Sequence, residues 1–168
     1  MLNWLRGHRK VALVQSAWIP EMVDRVCWHV EDQVFAFIGR RGAPVPSYSP
    51  MTDLMIGAYI LGLLEGYIRT IYDGEHATDQ AKTREILQAA AGEVCSRVFG
   101  PQWTRRVRHQ LPQWDGPPAY HRTFREELSA MCCRGTHDGR CLAADDPLCF
   151  AKAGGLLAYL LEMTELGV

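Results

Sequence analysis

The longest strongly apolar run of the sequence is LMIGAYILGLL, residues 54–64, which would be apolar on every side of a helix. An apolar run without strand-like alternation is typical of a helix that is covered on most of its faces. Helix signals bracket this run, because Ser49 suits the N-cap, Pro50 suits the first helical position and Gly74 suits a stop. We therefore expect a central helix over about residues 50–72.

A second apolar helix is predicted near the C-terminus, over about residues 147–166, where Lys152 is the only charge before Glu162. Both apolar helices contain rows of small residues. These rows are Ala58, Gly62 and Gly66 in the first helix, and Ala151, Gly155 and Ala158 in the second. An interior glycine costs a helix about 1 kcal/mol relative to alanine, and close approach of another helix offsets that cost. We expect the two helices to cross closely at the centre.

The rest of the chain shows helical periodicity with glycine and proline at the boundaries. The further predicted helices cover about residues 2–18, 20–38, 78–99, 104–110 and 118–133, with Pro20 kinking the first or opening the second, and with a polar loop over residues 134–146. The fold class is therefore all-α. We expect a compact single domain over residues 1–168 with about six to seven helices, in which amphipathic helices surround the two apolar ones at 50–72 and 147–166.

Composition excludes several classes of protein. The 168 residues are 48% apolar and carry 18 basic against 19 acidic side chains, which argues against disorder and against a surface tuned throughout for nucleic acid. The N-terminus lacks the long apolar run of a signal peptide, and no stretch reaches the roughly 18 uncharged apolar residues of a membrane span. We expect a cytoplasmic protein whose six cysteines are mostly free thiols.

The charges are unevenly distributed along the chain, so that one segment is strongly basic although the net charge of the whole chain is −1. Residues 97–125 contain six arginines and a single acid, Asp115, and aromatic residues lie among them. Arg105, Arg106 and Arg108 form short rows on one predicted helix. Such a face either pairs with the protein's own acidic side chains or binds a partner. Nucleic acid is the weaker option for that partner, because no known nucleic-acid-binding motif accompanies the arginines.

The densest group of potential ligands lies in residues 132–149. Cys133, His137, Cys141 and Cys149 could surround a zinc ion if the predicted loop folds back, although their spacing differs from the usual paired motifs. A redox interpretation uses the same region, with a disulfide from Cys132 or Cys133 to Cys149 across the junction of two helices. Free, buried thiols are the simpler alternative.

Two aromatic residues lie away from the main apolar face of the second predicted helix. Trp28 and Phe35 are seven residues apart and therefore share one side of the helix, with Asp24, Glu31 and Asp32 nearby. Either another helix packs over them, or they form an exposed patch of the kind that anchors protein interfaces.

Motifs for catalysis are missing from the sequence. It contains no G-x-S-x-G, no phosphate-binding glycine loop, no H-E-x-x-H and no paired Glu-x-x-His. His29 and His76 are predicted to be isolated surface residues. We expect a small intracellular adaptor, inhibitor or accessory factor without catalysis, which binds another protein through Trp28, Phe35, Arg105, Arg106 and Arg108. The alternative is a thiol- or zinc-responsive regulator that uses residues 132–149 and contacts nucleic acid through residues 97–125.

Overall fold

A computed structural model describes residues 3–42, 50–71, 80–110, 122–145 and 154–165. Within the helices, the side chains of residues 3–17, 50–51, 80–85, 106–110, 122–125 and 165 lie outside this description. The described ranges contain six helices and no strand. These are α1 (Asn3–Arg41), α2 (Pro50–Ile71), α3 (Gln80–Phe99), α4 (Pro101–Gln110), α5 (Arg122–Ala144) and α6 (Gly155–Glu165). The chain is a compact helical bundle, which confirms the all-α prediction.

The first helix is continuous, so the alternative in which Pro20 opens a second helix is wrong. Pro20 lies inside α1, which runs from Asn3 to Arg41. A proline removes one backbone donor and crowds the preceding turn, but packing on the flanking turns can hold the helix together. Val23, Val26 and Val30 supply that packing, since each is buried in the core.

The end of α1 also differs from the predicted end near residue 38. The helix continues to Arg41, and Gly42 adopts a left-handed conformation with φ of 64°. Its N–H donates to the carbonyl oxygen of Ile38 at 2.7 Å, which satisfies one of the last helical carbonyls. Gly42 is therefore the C-cap that ends α1.

The central position of α2 is confirmed. The helix spans Pro50–Ile71, and Tyr59, Ile60 and Leu63 on it are fully inaccessible to solvent. Asp53 lies in its first turn and accepts a hydrogen bond from Trp103 Nε1 at 2.7 Å, which joins α4 to the start of α2. The aromatic ring of Trp103 is buried in the same contact.

Among the described helices, α2 alone is long and apolar enough to cross a membrane. The segment is Thr52–Ile71, and 61% of its most apolar window is buried inside the protein. The central helix of a globular protein meets the same criteria of length and composition. Here the other helices of the bundle cover most of that apolar surface.

The close helix crossing involves a different partner from the one predicted. Gly62 and Gly66 of α2 lie against the backbone of α5 at Cys132 and Thr136, rather than against α6. The α2–α5 pair forms the most extensive helix contact in the structure. Two glycines of α5 complete the crossing, Gly135 against Tyr59 and Gly139 against Leu63.

This crossing explains why the predicted polar loop over residues 134–146 is wrong. The segment continues α5 to Ala144, although it contains two glycines and several polar residues. Glycine lowers the helix propensity of this segment. The same glycines allow the backbones of α2 and α5 to approach closely, and the packing free energy gained there offsets the loss of helix propensity. Tertiary contact therefore overrides the local signal.

The last described helix, α6, begins at Gly155 rather than near Pro147. The predicted start of this helix, near residue 147, lies outside the described residues. Leu156 and Leu160 of α6 are fully buried. The predicted helices over residues 78–99 and 104–110 correspond closely to α3 and α4.

Candidate functional sites

The outer face of α1 displays the two aromatic residues singled out in the sequence. Trp28 is 61% exposed and Phe35 is 68% exposed. The two residues are separated by two helical turns and lie on the same side of α1. Ile38, at 36% exposure, extends this apolar surface toward the end of α1. We call Trp28, Phe35 and Ile38 the aromatic face. The alternative prediction, in which another helix packs over Trp28 and Phe35, is wrong.

Acidic side chains border the aromatic face. Glu31 and Asp32 lie between Trp28 and Phe35 at helical spacings of three and four residues, with Asp32 exposed and Glu31 partly buried. Asp24 lies one turn before Trp28 and pairs with Arg97 of α3 at 2.6 Å. The rim therefore carries negative charge next to a large apolar surface.

The basic segment is only partly described. Arg105 is exposed on α4, whereas the side chains of Arg106 and Arg108 lie outside the described residues. Arg97 is engaged within the protein, since its guanidinium donates to Asp24. The hydrogen bond from Arg97 to Asp24 raises the pKa of the guanidinium further. At least one of the six arginines therefore pairs with the protein's own acids.

The cysteines near the end of α5 divide into two kinds. Cys132 and Cys133 are free thiols, as are Cys27 and Cys95. Cys141 is disulfide-bonded. The predicted junction disulfide from Cys132 or Cys133 is therefore wrong, because the bonded residue is the one two helical turns farther along α5. Cys149 lies outside the described residues.

The predicted zinc ligands are not arranged as one site in the described part of the chain. Cys133 and His137 are exposed, and Cys141 is 1% exposed. His137 Nδ1 lies 3.9 Å from Cys141 Sγ, so these two residues are neighbours. A sulfur held in a disulfide is not the thiolate that zinc requires, so Cys141 is not available as a ligand in this state. No group of three or more metal-ligating side chains occurs among the described residues.

A buried polar cluster that sequence reasoning did not predict lies at the start of α6. Its side chains are His29 and Gln33 from α1, Tyr59 from α2 and Asp138 from α5, all less than 5% exposed. The Tyr59 hydroxyl donates to Asp138 Oδ2 at 2.6 Å, and Gln33 Nε2 donates to the Tyr59 oxygen at 3.0 Å. Four helices therefore meet at one hydrogen-bonded network.

The network also caps α6. Asp138 Oδ2 accepts from the Gly155 N–H at 2.9 Å. Gln33 Oε1 accepts from the N–H groups of Leu156 and Leu157 at 3.0 and 3.1 Å. The first N–H groups of a helix lack partners within the helix, and here two other helices supply the acceptors.

The network specifies the protonation state of His29. Because Gln33 Oε1 is directed at α6, its NH₂ group faces His29 Nε2 at 3.0 Å and donates to it. Burial lowers the pKa of His29, although the Asp138 charge opposes the shift. His29 is therefore a neutral acceptor, and a proton on Nε2 would oppose the Gln33 donor.

Burial and the neighbouring Asp138 charge raise the pKa of Tyr59 well above its usual value, so the phenol keeps its proton and donates. The network holds a carboxylate, a neutral imidazole and a phenol in a fixed arrangement. All four side chains hydrogen-bond within the protein, and these bonds fix the positions of α1, α2, α5 and the start of α6 relative to one another.

The prediction that His29 is an isolated surface residue is wrong. The helical periodicity of α1 does indicate that this position is buried. His29 lies seven residues after the buried Met22, and Gln33 lies seven residues after the buried Val26. That spacing places them on the inner face of the helix. No comparable signal marks Asp138, whose burial depends on the α2–α5 crossing.

No known protein family, curated protein or solved structure matches this chain.

Proposed function

We propose that the protein acts by binding another protein through the aromatic face of α1, as an adaptor, inhibitor or accessory factor without catalysis. The observation that carries the proposal is the exposure of Trp28 and Phe35 on one side of α1, while the opposite side of the same turns is buried in the core at Val26, Val30 and Phe37. Aromatic side chains are enriched at the centres of protein–protein interfaces, and tryptophan is among the residues enriched at the positions that contribute most to affinity.

The acidic rim indicates the chemistry of the partner. Glu31 and Asp32 separate the two aromatic residues along α1. A complementary segment would present apolar side chains for the aromatic face and lysine or arginine beside them. We propose a partner helix or loop with an apolar centre and basic flanks, and a cytoplasmic setting for the encounter.

The test begins with a photo-crosslinking residue placed at Ala36, beside Phe35, in cells of the native organism. The crosslinked partner is then purified, and its affinity is compared for wild type and for the Trp28→Ala/Phe35→Ala variant. We expect the dissociation constant to rise at least about thirtyfold, because anchor residues contribute about 2 kcal/mol or more. Ile71→Ala, which removes an apolar side chain exposed to 48% on α2, is the matched control and should leave affinity unchanged.

Charge reversal tests the nature of the partner separately. Asp32→Lys should weaken binding and flatten its dependence on salt concentration, because it removes attraction to basic residues of the partner. An unchanged affinity in the aromatic double variant would contradict the proposed surface. An unchanged salt dependence in Asp32→Lys would contradict only the basic character of the partner.

The basic surface on α4 is proposed as a second contact area. Arg105 is exposed there, and Arg106 and Arg108 follow it on the same helix. The Arg105→Glu/Arg106→Glu variant should weaken association with a partner, or with mixed-sequence nucleic acid, in a salt-dependent manner. If every association of the protein is unaffected, this second surface is wrong.

A second candidate function is favoured by the Cys141 disulfide. Cytoplasmic thiol systems keep most cysteines reduced, so a disulfide in a cytoplasmic protein is typical of redox sensing. This supports a thiol-responsive regulator and does not support the zinc form of that function. Counting reactive thiols before and after reduction tests it.

A further inference from the structure

The first turn of α6 is held in place by side chains of other helices. Gln33 Oε1 of α1 accepts from the N–H groups of Leu156 and Leu157. These N–H groups have no acceptor within α6, because they belong to the first turn of a helix. The side chain of Leu156 is fully buried where the turn docks. The docking of this turn therefore depends on the direction in which the Gln33 carboxamide points.

The direction of the Gln33 carboxamide is coupled to the protonation of His29. A carboxamide accepts through its oxygen and donates through its NH₂ group. While Oε1 of Gln33 faces α6, the NH₂ group faces His29 Nε2 and the Tyr59 oxygen, each at 3.0 Å. Both atoms accept, because the Tyr59 hydroxyl donates its own proton to Asp138. With a neutral His29, the donors of the Gln33 side chain and of the first α6 turn are all satisfied.

A proton on His29 Nε2 sets two donors against each other, since the Gln33 NH₂ group lies 3.0 Å away. The Tyr59 oxygen does not relieve the conflict, because it is 3.4 Å from Nε2 and already accepts from Gln33. Rotation of the Gln33 carboxamide by half a turn does relieve it, because Oε1 then accepts from His29. The same rotation directs the NH₂ group at the N–H groups of Leu156 and Leu157. A protonated His29 and the docked turn of α6 therefore compete for one oxygen atom.

We propose that the polar cluster is a pH-sensitive switch, in which protonation of His29 releases the first turn of α6 while the rest of the bundle stays folded. The proton comes from solvent and binds Nε2 of the imidazole. In the released state Asp138 is the one acceptor left for this turn, through its contact with Gly155. Leu156 then leaves the core, and water reaches the charged imidazole.

The groups around His29 determine the pH range of the switch. In the described part of the chain these are Tyr59 of α2, Asp138 of α5 and Asp32 of α1 itself, and residues 155–158 of α6 carry no titratable side chain. Burial lowers the pKa of His29 and outweighs the opposing charges of Asp138 and Asp32. Release exposes the imidazole and returns its pKa to about 6.5. The docked turn is therefore fully stable above about pH 6.5 and loses stability as the pH falls below that value.

Hydrogen exchange on the wild-type protein tests the switch, so the result does not depend on whether a variant folds. The protection factor, which is the intrinsic exchange rate at each pH divided by the observed rate, removes the direct effect of pH on exchange. Acidification from pH 7.5 to 5.0 should lower the protection of the Leu156 and Leu157 amides by at least about fivefold, because the released turn binds a proton that the docked turn excludes. Equal protection at both pH values would overturn the proposal.

Low concentrations of urea distinguish release of the turn from unfolding of the whole bundle. Opening of one turn exposes little surface, so exchange at residues 156–157 should be nearly independent of urea. The amides of Val94 and Cys95, on the buried side of α3, are the reference for global unfolding, and their exchange should accelerate as urea is added. If residues 156–157 show the same protection and the same urea dependence as this reference, the whole bundle opens together and the local switch is wrong.

Two variants assign the response to His29. His29→Gln keeps an acceptor for the Gln33 NH₂ group but does not bind a proton in this pH range, so the loss of protection at residues 156–157 should disappear. His137→Gln is the matched control, since this exposed histidine contacts the other carboxylate oxygen of Asp138 at 3.2 Å, and it should keep the loss. A loss that persists in His29→Gln, or that disappears in His137→Gln alone, would contradict the switch. These measurements are independent of the aromatic face.

Discussion

Tyr59 connects three helices through one oxygen atom. Its hydroxyl donates to Asp138 of α5, accepts from Gln33 of α1, and is carried by the central helix α2. A buried carboxylate needs donors, because an unsatisfied charge in an apolar interior is costly. The hydroxyl of Tyr59 therefore stabilises the charge on Asp138, which in turn caps α6.

Tyr59→Phe should lower the free energy of unfolding by about 1–3 kcal/mol, because it leaves a buried carboxylate with one donor fewer. Urea denaturation followed by circular dichroism measures this loss. Tyr67→Phe is the matched control on the same helix, since the Tyr67 hydroxyl interacts with Arg25, which is partly exposed. We expect a smaller loss for Tyr67→Phe, and an equal loss for both variants would contradict the role assigned to Tyr59.

The α2–α5 crossing is the main feature at the scale of the helices. A Cβ added at Gly62 would overlap the carbonyl oxygen of Cys132, and one added at Gly135 would overlap the carbonyl oxygen of Tyr59. Backbone atoms cannot move aside as a flexible side chain can, so the two helices would have to separate. Their separation would also displace Tyr59 and Asp138 from each other.

Gly62→Ala or Gly135→Ala should therefore destabilise the protein by about 2 kcal/mol or more, at the upper part of the range for overpacked cores. Gly39→Ala on α1 is the matched control, because nothing lies within 4 Å of a Cβ built at Gly39. That substitution should raise stability by about 0.5–1 kcal/mol through helix propensity. Thermal denaturation distinguishes the opposite signs, and a gain at Gly62 would refute the close crossing.

At the scale of the whole molecule, the polar cluster links folding stability to pH. Burial lowers the pKa of His29 in the folded protein, whereas in the unfolded chain it stays near 6.5. The unfolded state therefore binds more protons as the pH falls below about 6.5. Stability contributed by neutral His29 is fully present above that pH and is lost between it and the lower pKa of the folded state.

Acidification from pH 7.5 to 5.5 should consequently lower the free energy of unfolding, with a slope from His29 of at most about 1.4 kcal/mol per pH unit. His29→Gln keeps a hydrogen-bonding side chain but cannot titrate, and it should reduce this slope. His137→Gln, at an exposed histidine, is the comparison variant. A slope unchanged by His29→Gln would show that His29 is not the group responsible.

The extent to which the sequence predicts this molecule differs between features. The all-α class and the central helix over residues 50–71 follow from periodicity and apolar run length. Periodicity also places Trp28 and Phe35 together on one side of α1, but it left open whether another helix covers them, and only the packing of the bundle shows that they are exposed. The presence of a close glycine crossing also follows, because glycines inside a helix point to backbone contact. Periodicity does not identify which helix makes this contact. For that reason the prediction that α2 crosses closely with the last helix was wrong, and the crossing partner is α5.

Neighbours along the chain are enough to establish the all-α class, the apolar inner faces of the helices and the central position of residues 50–71. Contacts between helices establish that residues 134–144 are helical, that Cys141 is the bonded cysteine, and that a buried cluster forms from His29, Gln33, Tyr59 and Asp138. Those features depend on contacts between residues far apart in sequence. The cost of each glycine to helix propensity is about 1 kcal/mol, and the packing of two helices exceeds it.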